Sequence, residues 1–217
     1  MNRIEMKQTA RETLRQKRIE AILGLVLPVV VVGAIFGGLS GLLAATENTL
    51  IAIFIALFTI ALIPLNVGVF YFFRKLLIVE GPADYMDLLK GHKENFLRNL
   101  GYLVLMQIFI TLWTFLLIIP GIIKMFSYIM TPYILGDDDL KKGPGEADPI
   151  TISRVMMDGH KLEYFVMILS FIGWLILGAL TFNILTVIFV APYMQLTFAK
   201  FYETRKAELD RKYFVNP

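Results

Sequence analysis

The sequence predicts an all-α fold. We expect a polytopic transmembrane helical bundle, with six spans arranged as three hairpins and short cytosolic interfacial helices between them. Three observations carry this reading. Hydrophobic residues make up 57% of the 217, charged residues only 18%, and mean hydropathy is +0.66. The charges cluster, so that residues 21–46 and 48–73 are each 26 residues without one, and residues 164–199 are 36. A bilayer core of about 30 Å takes about 20 helical residues at 1.5 Å each, so these runs are long enough to cross. Finally, one plan recurs. Gly91-His92-Lys93 leads into an almost chargeless run, and Gly159-His160-Lys161, 68 residues later, leads into another.

The net charge of +3 and pI near 9.0 do not point to nucleic acid. The basic residues lie beside hydrophobic spans, where Lys and Arg set topology. There is no cysteine, which excludes disulfides, thiolate metal sites and a cysteine nucleophile. A cleaved signal peptide does not fit residues 1–45. The apolar run outlasts an h-region of roughly 7–15 residues, and more membrane follows it.

Residues 1–20 are expected to form a cytosolic basic helix, solvated or lying on the membrane surface. No Gly or Pro interrupts it, and Ile4, Ala10 and Leu14 make a thin apolar stripe. Residues 21–203 form a single membrane domain with spans near 21–45, 50–73, 100–119, 122–135, 164–180 and 184–200. Cytosolic linkers cover 74–99 and 136–163, and 204–217 is a cytosolic tail. In the first span Gly33, Gly37 and Gly41 form a double GxxxG, and small residues four apart let helix backbones approach closely. The expected use is packing against another helix of the chain, with homodimerisation as the alternative. A polar turn follows at Thr46-Glu47-Asn48-Thr49.

Pro64 interrupts the second span, which ends on Phe70-Tyr71-Phe72-Phe73-Arg74-Lys75, an aromatic belt followed by basic anchors. Gly81-Pro82 breaks the chain, and residues 83–89 read as a short interfacial helix. Pro120-Gly121 is expected to break the third span from the fourth, since Pro cannot continue the hydrogen-bond ladder and Gly permits a reversal. The fourth run, 122–135, is short and carries Lys124. It crosses with Lys124 snorkelling, or it re-enters. Asp137-Asp138-Asp139, Lys141-Lys142 and Gly143-Pro144-Gly145 read as a solvated polar loop. Asp148-Pro149 then reads as an N-cap and first turn. The last hairpin turns at Thr181-Phe182-Asn183, and Pro192 lies inside its second arm.

Charge placement favours six spans. With both termini inside, twenty of the 21 basic residues fall on the cytosolic side and only Lys124 is left over. A four-span arrangement with two re-entrant hairpins keeps the same loops inside. Pro64 and Pro132 are also 68 residues apart, with Pro192 a further 60 on, so the three hairpins suggest a repeated unit.

Several stretches together resemble a known bacterial membrane family. They are Ile118-Ile119-Pro120-Gly121-Ile122-Ile123-Lys124, Tyr133-Ile134-Leu135, Met156-Met157-Asp158-Gly159-His160-Lys161, Ser170-Phe171-Ile172-Gly173-Trp174, Ala191-Pro192-Tyr193 and Phe201-Tyr202. The family is the one catalogued as domain of unknown function 975, and the resemblance covers nearly the whole chain. It implies an integral protein of the bacterial cell membrane. It implies no catalytic residues and leaves the activity open.

The residues by themselves assign no catalytic group, metal ligand or cofactor. His92 and His160 are the only histidines and lack the H-x-x-x-H or H-E-x-x-H spacing. Gly91, His92, Lys93, Gly159, His160 and Lys161 are instead expected as interfacial hinges whose His and Lys meet head groups. The intramembrane polar residues, Asn66, Gln107 and Gln195 among them, do not ionise, which argues against an ion-coupled pump. The expected function is non-enzymatic: a protein that organises the membrane, contacts anionic lipid head groups on the cytosolic side, or assists a partner, with a homo-oligomer allowed and nucleic acid excluded. The alternative is a permeation pathway for a small or amphipathic solute.

Overall fold

The computed structural model describes residues 2–46, 48–141 and 148–211. Glu47, Lys142, the Gly143-Pro144-Gly145 stretch and the tail from Lys212 lie outside the described residues. Helix α1 (Arg3–Gln16) starts where the Glu5 carboxylate accepts from the Asn2 backbone N–H at 3.0 Å. It is not a solvated arm. Met6, Ala10 and Leu14, spaced four apart on one face, are buried to 2% exposure or less, while Ile4 points away and is 63% exposed. The stripe packs along the last helix, α13, so residues 1–20 share the core of the rest of the chain. Lys7 extends the contact: its ammonium donates to the Ser170 hydroxyl and sits 4.3 Å from the centre of the Phe171 ring.

A bend at Lys17 separates α1 from α2 (Arg18–Thr46), which continues through Pro28. The Lys17 ammonium donates to the carbonyls of Leu76 (3.2 Å) and Val79 (2.6 Å), capping the end of α4. Asn48 caps α3 (Thr49–Ala61) by accepting from Leu50 N–H at 2.9 Å, and Pro64 stands as N-cap of α4 (Leu65–Ile78). The short helix expected over 83–89 is a 3-10 turn, Tyr85–Leu89. Its Leu88 is buried against α4, and Tyr85 stacks on Phe72 with ring centres 5.8 Å apart. Then come α5 (Lys90–Lys93) and α6 (Phe96–Leu116).

The break between the third and fourth runs is not at Pro120-Gly121. It falls at Leu117, whose extended backbone (φ −156°, ψ 130°) separates α6 from α7 (Ile118–Tyr128). Pro120 lies in the first turn of α7, where a missing N–H removes no helical hydrogen bond. Gly121 serves contact: a Cβ there would stand 2.4 Å from Thr114 Oγ1 on α6. Helix α8 (Thr131–Gly136) carries Pro132 in its first turn, and α9 (Asp138–Lys141) follows. Asp148 caps α10 (Pro149–Met156) through the N–H groups of Ile150 and Thr151. The last expected hairpin covers α11 (Lys161–Leu169), α12 (Ile172–Leu180), a π-helical stretch Thr186–Val190 and α13 (Ala191–Asp210). Its turn is at Thr181-Phe182-Asn183, with Phe182 (φ 51°) and Asn183 (φ 63°) left-handed.

Five helices among the described residues are long and apolar enough to cross a membrane: Arg18–Ala44, Thr49–Ile78, Phe96–Leu116, Ile118–Gly136 and Lys161–Leu180. The expected sixth span, 184–200, is not among them. It opens in the π-helical stretch, and α13 runs on into the charged residues ending at Asp210.

Burial divides the molecule. One end holds the core, built from α1, the start of α2 (Ala21), the end of α4 (Phe72, Phe73, Leu76), α7 and α8 (Phe126, Met130, Tyr133), α10, the start of α11 and α13. At the other end apolar side chains face outward, from Val29 to Leu42, from Leu50 to Ile60, around Phe115 (93% exposed) and around Phe182 (93%). A large apolar surface of this kind marks a lipid or partner contact.

Two glycines give a contrast that can be measured. A Cβ at Gly91 would stand 1.9 Å from the Pro64 carbonyl oxygen, whereas one at Gly101 would meet nothing within 4 Å. Gly91→Ala is expected to destabilise by about 1–3 kcal/mol. Gly101→Ala, in the middle of α6, is expected to stabilise by up to about 1 kcal/mol. Thermal midpoints in detergent should order the two variants on opposite sides of the wild type.

Candidate functional site

The densest polar chemistry lies at the packed end and is organised by Asp137. This carboxylate is 1% exposed although it opens the run Asp137-Asp138-Asp139. It takes Arg74 Nη1 at 3.2 Å, Lys206 Nζ at 2.8 Å and the Tyr202 hydroxyl at 2.7 Å. Asp139 N–H donates at 3.1 Å to Asp137 Oδ1, the oxygen that Arg74 also meets. The expected solvated acidic loop is thus corrected for its first residue: Asp137 joins the end of α4, the end of α8 and α13. Arg74 also donates to Glu203, Lys206 bonds Asp139 at 2.7 Å, and Lys90 reaches Asp138 at 2.5 Å while lying 4.0 Å from the Tyr71 ring centre. Tyr202 stacks on Tyr133 with centres 4.9 Å apart.

The two Gly-His-Lys segments do different things. Gly91 is helical and packs on the Pro64 carbonyl, and the left-handed turn before α6 falls at Asn95 (φ 50°). His92 Nε2 lies 3.0 Å from the Ala61 carbonyl, its ring packs 5.6 Å from Phe96, and Lys93 is exposed. Gly159, by contrast, is left-handed (φ 75°), a conformation that favours glycine, and it turns the chain from α10 into α11. His160 stands at the N-cap position of α11 without a side-chain capping bond and meets Arg205, whose Nη1 lies 2.8 Å from His160 Nδ1. Glu163 and Glu208 flank the same ring at 3.5 and 3.6 Å. The histidines therefore have separate neighbourhoods. Among the described residues no group of three or more His, Cys, Asp or Glu is placed to hold a metal ion.

Gly33, Gly37 and Gly41 face no neighbour: a Cβ at any of them would meet nothing within 4 Å. Pro64 and Pro132 each stand at the start of a helix, whereas Pro192 lies where the π-helical stretch Thr186–Val190 runs on into α13.

Two cavities adjoin α7. The first, of about 560 Å³, lies at the packed end among Lys124, Arg154, His160, Lys161, Arg205 and Glu208. Lys124, expected to snorkel, lines it and also lies 4.7 Å from the Trp113 ring centre. The second, of about 720 Å³, is apolar and lies between α4, α6 and α7. Asn66 and Gln107 both reach it, and the Asn66 amide donates to Ile63 O at 3.0 Å. Gln195 is elsewhere, with its buried Oε1 unpartnered among the described residues.

A family model described as Protein of unknown function (DUF975) matches residues 1–127 and 115–208. The chain belongs to this family. The DUF975 match takes in Arg74, Asp137, Tyr202 and Lys206 as well as both Gly-His-Lys segments. Searches of curated proteins and of solved structures each return no match.

Sequence reasoning missed the Asp137 network because its members are far apart in the chain. The available signal was that Arg74 and Asp137 each directly follow an apolar run, and Lys206 lies seven residues beyond another. Removing one partner of a buried ion pair leaves an uncompensated charge and costs about 3–5 kcal/mol. Asp137→Ala is expected to lose that much, read as a lower thermal midpoint in detergent, while Glu80→Gln on the exposed surface should stay within about 0.5 kcal/mol.

The network also sets a pH window. A hydrogen bond from Lys206 and its charge hold Asp139 below its ordinary value of 3.8. Burial works against the Lys206 charge, but its bonds to Asp137 and Asp139 outweigh this and raise it above 10.5. The Asp139 contribution is present above 3.8 and lost as pH falls through its lower folded value. The Lys206 contribution is present below 10.5 and lost as pH rises through its higher folded value. Thermal stability against pH should therefore show a plateau between these limits, and Lys206→Met should remove the alkaline fall due to this residue.

Proposed function

We propose that this protein is a non-enzymatic multi-pass protein of the bacterial cell membrane that organises lipid or assists a partner there. The observation that carries the reading is the division of its surface: apolar side chains face outward along most of the candidate spans, while the charged residues close on one another at one end. A face of that composition fits acyl chains, and a charged end of that rigidity fits a headgroup layer.

In this reading the chain crosses six times as three hairpins, with both termini cytoplasmic. Two things support it. The basic residues gather on that side, and Lys124, the one left over, lines a cavity with Arg154, Lys161 and Arg205. Moreover, the start of α2, the end of α4, the end of α8, the start of α11 and α13 share one core, as alternating crossings require.

The chain has no cysteine, so single cysteines report topology cleanly. An impermeant maleimide added to intact cells should label Asn48→Cys and Phe182→Cys, and should label Asn2→Cys and Asp158→Cys only after permeabilisation. Labelling of Phe182→Cys and Asp158→Cys from the same side would break the hairpin assignment. In-cell cross-linking with copurification tests the activity: a strictly monomeric protein that retains neither lipid nor partner would overturn it.

A further inference from the structure

We propose that the 560 Å³ cavity at the packed end binds a phosphate ester of a small polyol, the headgroup of an anionic phospholipid or its free counterpart. This rests on the lipid-contact reading above and gives it a site. Three elements build the cavity: Lys124 and Ser127 from α7, Thr151, Arg154 and Val155 from α10, and Arg205, Glu208 and Leu209 from α13, with Asp158, His160 and Lys161 at the turn between α10 and α11. Its lining holds four permanent cations (Lys124, Arg154, Lys161, Arg205) against two carboxylates (Asp158, Glu208), which leaves an excess of positive charge.

The cations are not used up by the fold. Among the described residues Arg154 and Lys161 have no carboxylate within ion-pair distance, in contrast to Arg74, Lys90 and Lys206. The Arg205 side chain is only 5% exposed and is held by Glu208 at 2.8 Å, by Glu163 at 3.7 Å and by the His160 ring, yet its Nε has no acceptor among the described residues. A guanidinium kept buried with an unused donor is set up to hydrogen-bond a phosphate oxygen. The start of α11 lies at the same place, and no side chain caps it, so its first N–H groups favour an anion as well.

Size and position narrow the ligand. A cavity of about 560 Å³ exceeds a bare phosphate and is within the usual range for small-molecule sites. The hydroxyls of Ser127 and Thr151 and the carboxylates of Asp158 and Glu208 suit a polyol carried by that phosphate. One wall belongs to the apolar candidate span Ile118–Gly136, where Ile122 and Ile123 are exposed beside Lys124. Acyl chains could follow that wall while the headgroup stays in the cavity, which favours the lipid as the source.

The test uses the full chain in nanodiscs of equal parts phosphatidylglycerol and phosphatidylcholine, released for native mass spectrometry. The wild type should retain phosphatidylglycerol selectively. The double variant Arg154→Gln with Lys161→Gln, both away from the ion-pair network, should retain it about tenfold less, as expected for the loss of charge-assisted hydrogen bonds. Arg15→Gln with Arg98→Gln, exposed basic residues outside the cavity, should change nothing. Equal losses in both double variants, or none in either, would overturn the site while leaving lipid contact standing. A second arm titrates glycerol 3-phosphate and follows the thermal midpoint. Stabilisation of the wild type but not of the Arg154/Lys161 variant, without retained lipid, would keep the site, assign it to the free ester and overturn the lipid reading. No binding in either arm would overturn both.

Discussion

Asp137 is the constraint on which the rest depends. It is a carboxylate with 1% exposure that holds two cations and a phenol from different parts of the chain. An ion pair so far from water is not a large source of net stability, because desolvation offsets most of the attraction. Its effect is on placement. Arg74 ends the second apolar run, Asp137 ends the fourth and Lys206 follows the last, so satisfying one buried charge fixes where three helix ends stand relative to one another. In hydrocarbon the hydrophobic force between helices is absent, so polar and packing contacts at their ends carry correspondingly more of the geometry.

Around that lock the molecule is unevenly built. At the charged end aromatic rings fill the gaps, with Tyr133 stacked on Tyr202 and the Arg74 guanidinium 5.6 Å from the Tyr202 ring centre. Helix α1 closes this end from outside, burying Met6, Ala10 and Leu14 against α13. At the apolar end the helices have few partners among the described residues, and the Gly33, Gly37, Gly41 face of α2 meets none of them. Glycines follow the same division. Gly68, Gly91 and Gly121 sit where another backbone comes close, and those of α2's outer half sit in open space.

Much of this was legible from composition and spacing. The helical class, the positions of the apolar runs, the turn at Thr181-Phe182-Asn183 and the Asp148-Pro149 helix start all follow from local rules, and the structure has them. The break near Pro120 was displaced by three residues because proline fits two places, the end of one helix and the first turn of the next, and the sequence does not say which. Helix α1 formed as expected, but a related ambiguity hid that its stripe is buried against the chain's own core. Its stripe is thin, and a thin stripe on a basic helix serves a membrane surface or a protein groove equally well.

What the sequence determined by itself was the solvent: long uncharged runs, bounded by clustered cations, leave a helix in lipid as the way to satisfy backbone groups. It also determined most helix ends, since caps and turn residues act over a few positions. Only the tertiary structure decided which charges meet. Asp137 reads like Asp138 and Asp139 in the chain, and His160 reads like His92, yet of the three aspartates Asp137 is the buried one, and of the two histidines His160 is the one that meets Arg205, Glu163 and Glu208. Such choices depend on which ends the fold brings together, and a long-range pairing leaves no periodicity in the sequence to announce it.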